Sequence, residues 1–554
     1  MSNILLIFTL VFFRLIAASI HPIIIHGHYF IDSVTKEPFY IKGIDYQPGG
    51  SSAVSEHTDP LSDPVRCARD IVLFQELGIN TVRIYSVNAH LNHDACMTML
   101  ARAGIYLFLD VNSPLPHHHL NRYEPWNTYT LYYVENVFRI VEQFAHYNNT
   151  LGFIAGNEIV NDPISASVAA PYVKAVVRDI KTYIEYNAPR VIPVGYSAAD
   201  DLNYRMPLAQ YLECADENTK ESVDFYGINS YQWCGDQTFY SSGYNILVSD
   251  YKGFSKPIFF SEYGCNEVLP RNFDEVPVLY TNDMIDVFSG GLVYEYSQEP
   301  NNYGLVEIQP NGDVKILRDF VQLKKKFDTL PELDYNYIVQ SMKENAKEIQ
   351  TKLKNFKTSI PNCELLYPNL DISKGVPPTI AQTLIETGIE VQRGKYVPLT
   401  PEEMTSNAKY FQENGEVLNI VNTIDEVVDL ELEAAMVKSQ KSESITTSTS
   451  SMVSPVVHLP PTPSSSHSST SSLSSSSSSS QPAVPVPAPM PLPAQVPAPA
   501  PAPIPEHHPK KEEVPPPNNG NSLMSPIEDQ NNAFLEMFHK VIDPVRNFCA
   551  NLFN

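Results

Sequence analysis

Two glutamates each close an apolar run. Glu158 ends residues 151–158 (Leu-Gly-Phe-Ile-Ala-Gly-Asn-Glu), and Glu262 ends residues 257–262 (Pro-Ile-Phe-Phe-Ser-Glu). A carboxylate at the tip of a buried strand costs free energy unless partners or a chemical task hold it there. Two of them, on strands roughly a hundred residues apart, form the set that cleaves a glycosidic bond. One protonates the departing oxygen while the other attacks the anomeric carbon. Asn157, directly before Glu158, suits a hydrogen bond to the sugar 2-hydroxyl. Its competing reading is a structural Asn in a strand-to-helix turn. Burial in an apolar run raises at least one carboxyl pKa, as an acid working near neutral pH requires. The nucleophile must instead stay ionised, and Arg83, Tyr85 and Tyr231 are the candidate donors for it.

Such a pair needs a frame that brings distant strand ends together. Apolar runs recur at residues 40–46, 79–85, 106–112, 151–159, 191–196, 223–229, 257–263 and 291–296. Between the first two, Val65, Ala68, Val72 and Leu77 make a stripe at helical spacing. Between the third and fourth, Tyr133, Val137, Ile140, Val141 and Phe144 do the same. Strands that are apolar throughout and alternate with helices predict the α/β class, with a parallel sheet closed into a (β/α)8 TIM barrel. Glu158 then ends strand four and Glu262 strand seven, on the face where barrel active sites lie. An open doubly wound sheet is the alternative, but no glycine-rich phosphate loop accompanies it.

Aromatic and polar residues gather where the loops should fall: residues 46–50, Tyr85, Tyr123, Trp126, Tyr231, Trp233, Tyr263, Tyr294, Tyr296 and Tyr303. Tyrosine rings pack on pyranose faces while their hydroxyls bind sugar oxygens; rings away from strand ends are equally well core or rim. His117, His118 and His119 cannot all face one ion from a regular strand, and no carboxylate or cysteine spacing completes a set, so a solvated loop is expected. No cofactor or metal is implied. A net charge of −25 disfavours nucleic acid and anionic membrane as partners and suits a neutral polymer.

Outside the barrel the composition changes. Residues 1–19 carry a short apolar run with Ala17, Ala18 and Ser19 behind it, the length of a signal peptide and short for a membrane span. The catalytic domain is expected over residues 20–335, leaving no transmembrane segment in the mature chain. Residues 336–440 form an acidic, partly helical extension, and 441–525 a Ser/Thr- and Pro/Ala-rich linker unable to bury a core. Residues 526–554 form an amphipathic segment without an evident lipid-anchor signal. The chain has seven cysteines, and a secreted chain pairs most of its cysteines. Asn148 begins the Asn-Asn-Thr sequon, a candidate glycosylation site.

Longer motifs add a family resemblance. Tyr46-Gln-Pro-Gly-Gly50, Asp63-Pro-Val-Arg-Cys67, Asn80-Thr-Val-Arg-Ile-Tyr85 and Gly156-Asn-Glu158 come in order. Gly195-Tyr-Ser-Ala-Ala-Asp200, Asn229-Ser-Tyr-Gln-Trp-Cys234, Phe260-Ser-Glu262-Tyr-Gly-Cys265 and Gly290-Gly-Leu-Val-Tyr294 follow. Across about residues 22–365 the chain resembles the fungal β-1,3-glucanosyltransferases of glycoside hydrolase family 72.

The resemblance implies a retaining transglycosidase with Glu158 as acid/base and Glu262 as nucleophile. It implies donor and acceptor β-1,3-glucan chains as partners, contacted by Gln47, Tyr85, Asp110, Asn121, Arg122, Asn157, Asp200, Arg205, Tyr231, Tyr294 and Tyr303. It implies disulfides Cys67–Cys96, Cys214–Cys363 and Cys234–Cys265, with Cys549 left over. The cysteine-rich binding module of some relatives is missing after Cys363. A secreted, cell-wall location follows from the same resemblance. The rival readings are a β-glucan hydrolase using the same glutamates and a non-catalytic glucan-binding wall protein.

Overall fold

The computed structural model describes residues 20–353, 360–428 and 430. The readings made for residues 1–19, 441–525 and 526–554, Cys549 among them, lie outside these residues. Eight parallel strands close into a barrel in chain order. They are β1 (Ile41–Asp45), β2 (Thr81–Ile84), β3 (Tyr106–Asp110), β4 (Thr150–Asn157), β5 (Val194–Ala199), β6 (Phe225–Asn229), β7 (Ile258–Tyr263) and β8 (Phe288–Val293). All eight runs read from the sequence are strands, and β5 and β8 are displaced from the expected boundaries. Val191 is 77% exposed, so the fifth strand starts only after Pro193. The eighth starts earlier, through Ser289, Gly290 and Gly291, because a side chain at Gly290 would meet the Ile41 carbonyl oxygen of β1 at 2.1 Å.

Helices pack around the outside of the barrel, among them α1 (Pro64–Leu77), α2 (Asp94–Arg102), α3 (Leu131–Phe144), α4 (Ala170–Asn187) and α5 (Arg205–Glu213). Asp63 caps α1 by accepting from the Val65 and Arg66 amides, Pro64 opens its first turn, and Gly78 ends it in the left-handed region. Within α1 the expected stripe is corrected at one position. Val65 is 70% exposed, and the inner face is Cys67, Ala68, Ile71, Val72, Phe74 and Leu77. The α3 stripe is buried as read, behind a Thr130 cap.

The barrel interior is layered. Towards the N-terminal mouth it is aromatic: Phe108 stacks on Phe259 at 4.8 Å, and Phe30 lies about 6 Å from Phe108, Phe225 and Phe259. Phe30 comes from an N-terminal hairpin (Ile23–His26 with Tyr29–Asp32) whose apolar residues join this cluster. Towards the C-terminal ends the layer turns polar. There Asp45 registers with Arg83, Asn157 with Ser197, and Asn229 with Glu262.

After the helix Tyr335–Leu353, residues 360–428 cross the outer helices in reverse order. Cys363 is disulfide-bonded to Cys214 just past α5. Arg178 and Asn187 of α4 donate to the carbonyls of Pro377 and Ile385. Arg393 donates to Glu142 of α3, the Val397 amide to Thr98 of α2, and the Asp425 amide to Gln75 of α1. Between the α2 and α1 contacts, Tyr410–Phe411 pairs in parallel with Val314–Ile316 from the segment after β8. Among the described residues no helix is long and apolar enough to cross a membrane.

Candidate active site

Glu262, on β7, is 7% exposed and has both carboxylate oxygens engaged. Oε1 accepts from the Tyr85 hydroxyl at 2.9 Å and from Arg83 at 3.3 Å, and Oε2 accepts from the Tyr231 hydroxyl at 2.7 Å. Arg83 is fully buried. Its Nε and second terminal nitrogen each donate to Asp110 at 3.0 Å, and the remaining one also reaches the Ser261 carbonyl. Burial pushes the Glu262 carboxyl above its usual range; Arg83 pulls it down, the Glu158 charge pushes it up, and the two tyrosine hydroxyls pull it down. Burial thus raises the carboxyl of Glu262, the residue read as the nucleophile. Its surroundings are nonetheless donors, the set an ionised carboxylate wants, because a protonated acid would have to turn one hydroxyl into an acceptor.

Glu158 follows the last residue of β4 with φ 46, a left-handed conformation uncommon for a residue with a side chain. Such a conformation persists only where its surroundings hold it, and it is found preferentially at functional sites. Asn229 Nδ2 donates to Glu158 Oε1 at 2.9 Å and to Asn157 Oδ1 at 3.0 Å. Asn229 is fixed in turn by Ser261, whose hydroxyl donates to its Oδ1 at 2.8 Å, and Ser197 donates to Asn157 at 2.8 Å. A chain of short polar side chains on β5, β6 and β7 thus orients the carboxyl and amide at the end of β4.

Four of the tyrosines gather beside Glu262, Tyr85 and Tyr231 by hydrogen bond and Tyr294 and Tyr303 by packing on them. Tyr294 and Tyr303 lie 5.2 Å apart, Tyr231 is 5.6 Å from Tyr303, and Tyr85 and Tyr231 are each 6.3 Å from Tyr294. These four half-buried or buried rings wall the space beside the carboxylate with edges, faces and hydroxyls, a surface suited to a sugar ring.

Other residues read as substrate contacts are tied to their neighbours. Gln47 accepts from the Tyr85 and Ser86 amides and donates to Ser86, so both ends of its amide support the loop after β2. Asp110 acts through Arg83. Asp200, just past β5, pairs with Arg205 and accepts from Ser230 at 2.9 Å. On the loop after β3, Asn121 accepts from the Tyr123 and Glu124 amides, and the Arg122 charge bears on Tyr123 and Tyr196. Tyr123 donates to Asp162 at 2.8 Å, joining this loop to the one carrying Glu158.

Two buried carboxyls went unread. Asp45 is completely buried, its oxygens have no hydrogen-bond partner among the described residues, and burial pushes its pKa well up. Glu295 is pushed up to about 8 by burial, against a hydrogen bond from Asn301. Both follow apolar runs in sequence, the same signal that marked Glu158 and Glu262.

Cys67–Cys96 and Cys234–Cys265 join Cys214–Cys363 as disulfides, and Cys234–Cys265 ties the loop after β6 to the loop after β7. The Cys234, Cys265 and Glu267 group offers no free thiolate for a metal. His117 and His118 lie against Tyr132, at 6.0 and 5.7 Å between rings. Asn148 is half-buried, and Thr150 of its sequon is fully buried as the first residue of β4.

The family model described as glucanosyltransferase, glycoside hydrolase 72, matches residues 13–331. The chain is 55% identical over 403 residues to the 1,3-beta-glucanosyltransferase GAS4 of Saccharomyces cerevisiae, covering 73% of this chain and 83% of that one. It is 44% identical over 401 residues to the 1,3-beta-glucanosyltransferase gel2 of Aspergillus fumigatus, covering 72% and 82%. Among solved structures it matches Saccharomyces cerevisiae Gas2p in complex with laminaritriose and laminaritetraose. That match has a TM-score of 0.57 and 37% identity, and covers 65% of this chain and 77% of the other. A closed eight-stranded barrel, two glutamates at strand ends beside a tyrosine wall, and these likenesses agree: the chain belongs to the glucanosyltransferase family, glycoside hydrolase family 72.

Proposed function

We propose that this chain is a retaining β-1,3-glucanosyltransferase in which Glu262 is the nucleophile and Glu158 the acid/base. The observation that carries the assignment is the contrast between the two carboxyls. Glu262 is held on both oxygens by three donors, whereas Glu158 is half-buried, oriented by the one amide of Asn229, and left with an oxygen to exchange a proton. The substrate class comes from the relatives, which are named 1,3-beta-glucanosyltransferases, and from Gas2p, solved with laminari-oligosaccharides.

In this reading a β-1,3-glucan donor lies across the C-terminal face of the barrel, against Tyr85, Tyr231, Tyr294 and Tyr303. Glu158 gives its proton to the glycosidic oxygen as a Glu262 oxygen bonds to the anomeric carbon. The reducing-side fragment leaves with that proton, and a glycosyl ester remains on Glu262. The 3-hydroxyl at the non-reducing end of a second glucan then loses its proton to Glu158 and attacks the same carbon. A new β-1,3 bond forms and Glu262 is released as a carboxylate, so two inversions leave the anomeric configuration unchanged. Asn157 hydrogen-bonds the sugar 2-hydroxyl, and Asp200, Arg205, Asn121 and Arg122 line the path further out. Gln47 and Asp110 serve the site by fixing Tyr85 and Arg83.

The neutral polymer substrate suits the chain's net charge of −25, and its three disulfides suit an oxidising compartment. We place its work in the extracellular cell wall after secretory export, with Asn148 as an acceptor for glycosylation before β4 packs.

The test of the roles is covalent trapping. A 2-deoxy-2-fluoro laminaribiosyl fluoride slows breakdown of the ester more than its formation. Peptide mass spectrometry is expected to find one added glycosyl group on Glu262; the group on Glu158, or on neither, overturns the assignment.

A further inference from the structure

We propose that Arg271 is a positioning residue whose guanidinium, clamped on the backbone carbonyls of Gly264, Tyr294 and Tyr303, sets the tyrosine wall against which the glucan donor packs. The proposal rests on the reading of this site as a glucan site.

Arg271 lies in the connection between β7 and β8 and is 2% exposed. One terminal nitrogen donates to the Tyr294 carbonyl at 2.6 Å and to the Gly264 carbonyl at 3.3 Å, and the other donates to the Tyr303 carbonyl at 2.5 Å. Nε donates to Asp319 at 2.6 Å, which balances the buried charge. The guanidinium sits 4.8 Å from the Phe273 ring centre and 5.6 Å from that of Tyr303.

The three carbonyls belong to three pieces of the site. Gly264 comes two residues after Glu262. Tyr294 directly follows β8, and Tyr303 stands in irregular chain where no strand or helix fixes it. The other backbone bond to the Tyr303 carbonyl comes from the Glu295 amide at 3.2 Å. A planar fork that spans all three segments fixes Tyr303 against Tyr294 and both against the chain carrying Glu262, which a point charge cannot do. A wall that contacts donor sugars before and during reaction supplies uniform binding, so loosening it raises KM more than it lowers kcat.

Arg271→Lys keeps a cation opposite Asp319 but gives up the fork, whereas Asp319→Asn keeps the fork and gives up the charge pair. With a laminari-oligosaccharide donor, Arg271→Lys is expected to raise KM about tenfold with kcat within about threefold of the parent. Asp319→Asn is expected to lower Tm and leave KM unchanged. In a Glu158→Gln background, the Arg271→Lys change weakens laminaritetraose binding by a similar factor in calorimetry. Hydrogen exchange of the peptide containing Tyr303 speeds up in Arg271→Lys alone. A folded Arg271→Lys protein with parental KM and parental exchange overturns the clamp, as does a KM rise in Asp319→Asn equal to that in Arg271→Lys. A Glu158→Gln parent that binds no laminaritetraose sinks the glucan reading instead, and the exchange comparison then decides the clamp by itself.

Discussion

The Tyr231 hydroxyl donates to Oε2 of Glu262 at 2.7 Å, on the side of the carboxylate away from Tyr85 and Arg83. Residues after β6 and β2 therefore grip one carboxylate of β7 from two directions. That grip opposes the burial that raises the carboxyl's pKa.

Removing it has a signed consequence. A nucleophile works only when ionised, so activity falls as pH drops through the Glu262 pKa. Tyr231→Phe deletes a donor that favours the ionised form, which moves this acid limb to higher pH, by about one unit for a charge-assisted bond worth about 1.5 kcal/mol. The pH profile of kcat/KM checks it, with a loss approaching tenfold on the acid side of the parental limb and a smaller one at the optimum.

Asn229 touches Glu158 and Asn157 together. Asn229→Ala frees both side chains, and kcat for transfer is expected to fall about 100-fold, on the scale of a misplaced acid group. Ser261→Ala, which removes a support of Asn229 and of Ser197 without touching Glu158, is expected to cost about tenfold. Initial rates on folded protein distinguish the two.

Stability should fall as pH rises. Burial raises the carboxyl pKa values of Glu275 to about 7 and Glu295 to about 8, and pushes Asp45 and Asp110 up as well. Groups whose folded pKa lies above the unfolded one bind protons more tightly when folded. Their contribution is complete below about pH 4 and is lost as pH climbs towards 8. Thermal unfolding is expected at a Tm at least about 3 °C higher at pH 5 than at pH 8.

The Cys214–Cys363 bond closes a loop with a sequence separation of 149 and anchors the segment that crosses α5 to α1. Loss of the bond is expected to destabilise by about 3–5 kcal/mol through the freed chain entropy. A Cys214→Ser, Cys363→Ser double variant should therefore show a lower denaturation midpoint, while active protein keeps its donor KM.

The barrel was legible because strands buried on both faces read as unbroken apolar runs, and each carries its register in that pattern. The two boundary shifts have local causes. Pro193 follows an exposed Val191, and the Ser289-Gly290-Gly291 stretch looks like a turn until β1 is packed against it. Glu158, Glu262, Tyr85, Tyr231 and Tyr294 stood out by residue type at or just past strand ends, and Tyr303 by its type alone. Asn229 and Arg271 did not, since their importance lies in partners 71 and 23 to 32 residues away in sequence. The resemblance names Gln47 and Asp110 as sugar contacts, and only the packed chain adds Ser86 and Arg83 as partners of their polar atoms. The acidic composition of residues 360–428 gave no sign of their route across the helices, which depends on single hydrogen bonds to scattered carbonyls and carboxylates.

Transfer between glucan chains leaves a signature in product size. The most direct measurement incubates the purified protein with one reduced laminari-oligosaccharide and follows product masses over time. Products longer than the input are expected, formed together with matching shorter ones and lost in Glu262→Gln. Shorter products alone would make the protein a hydrolase and rule out transfer.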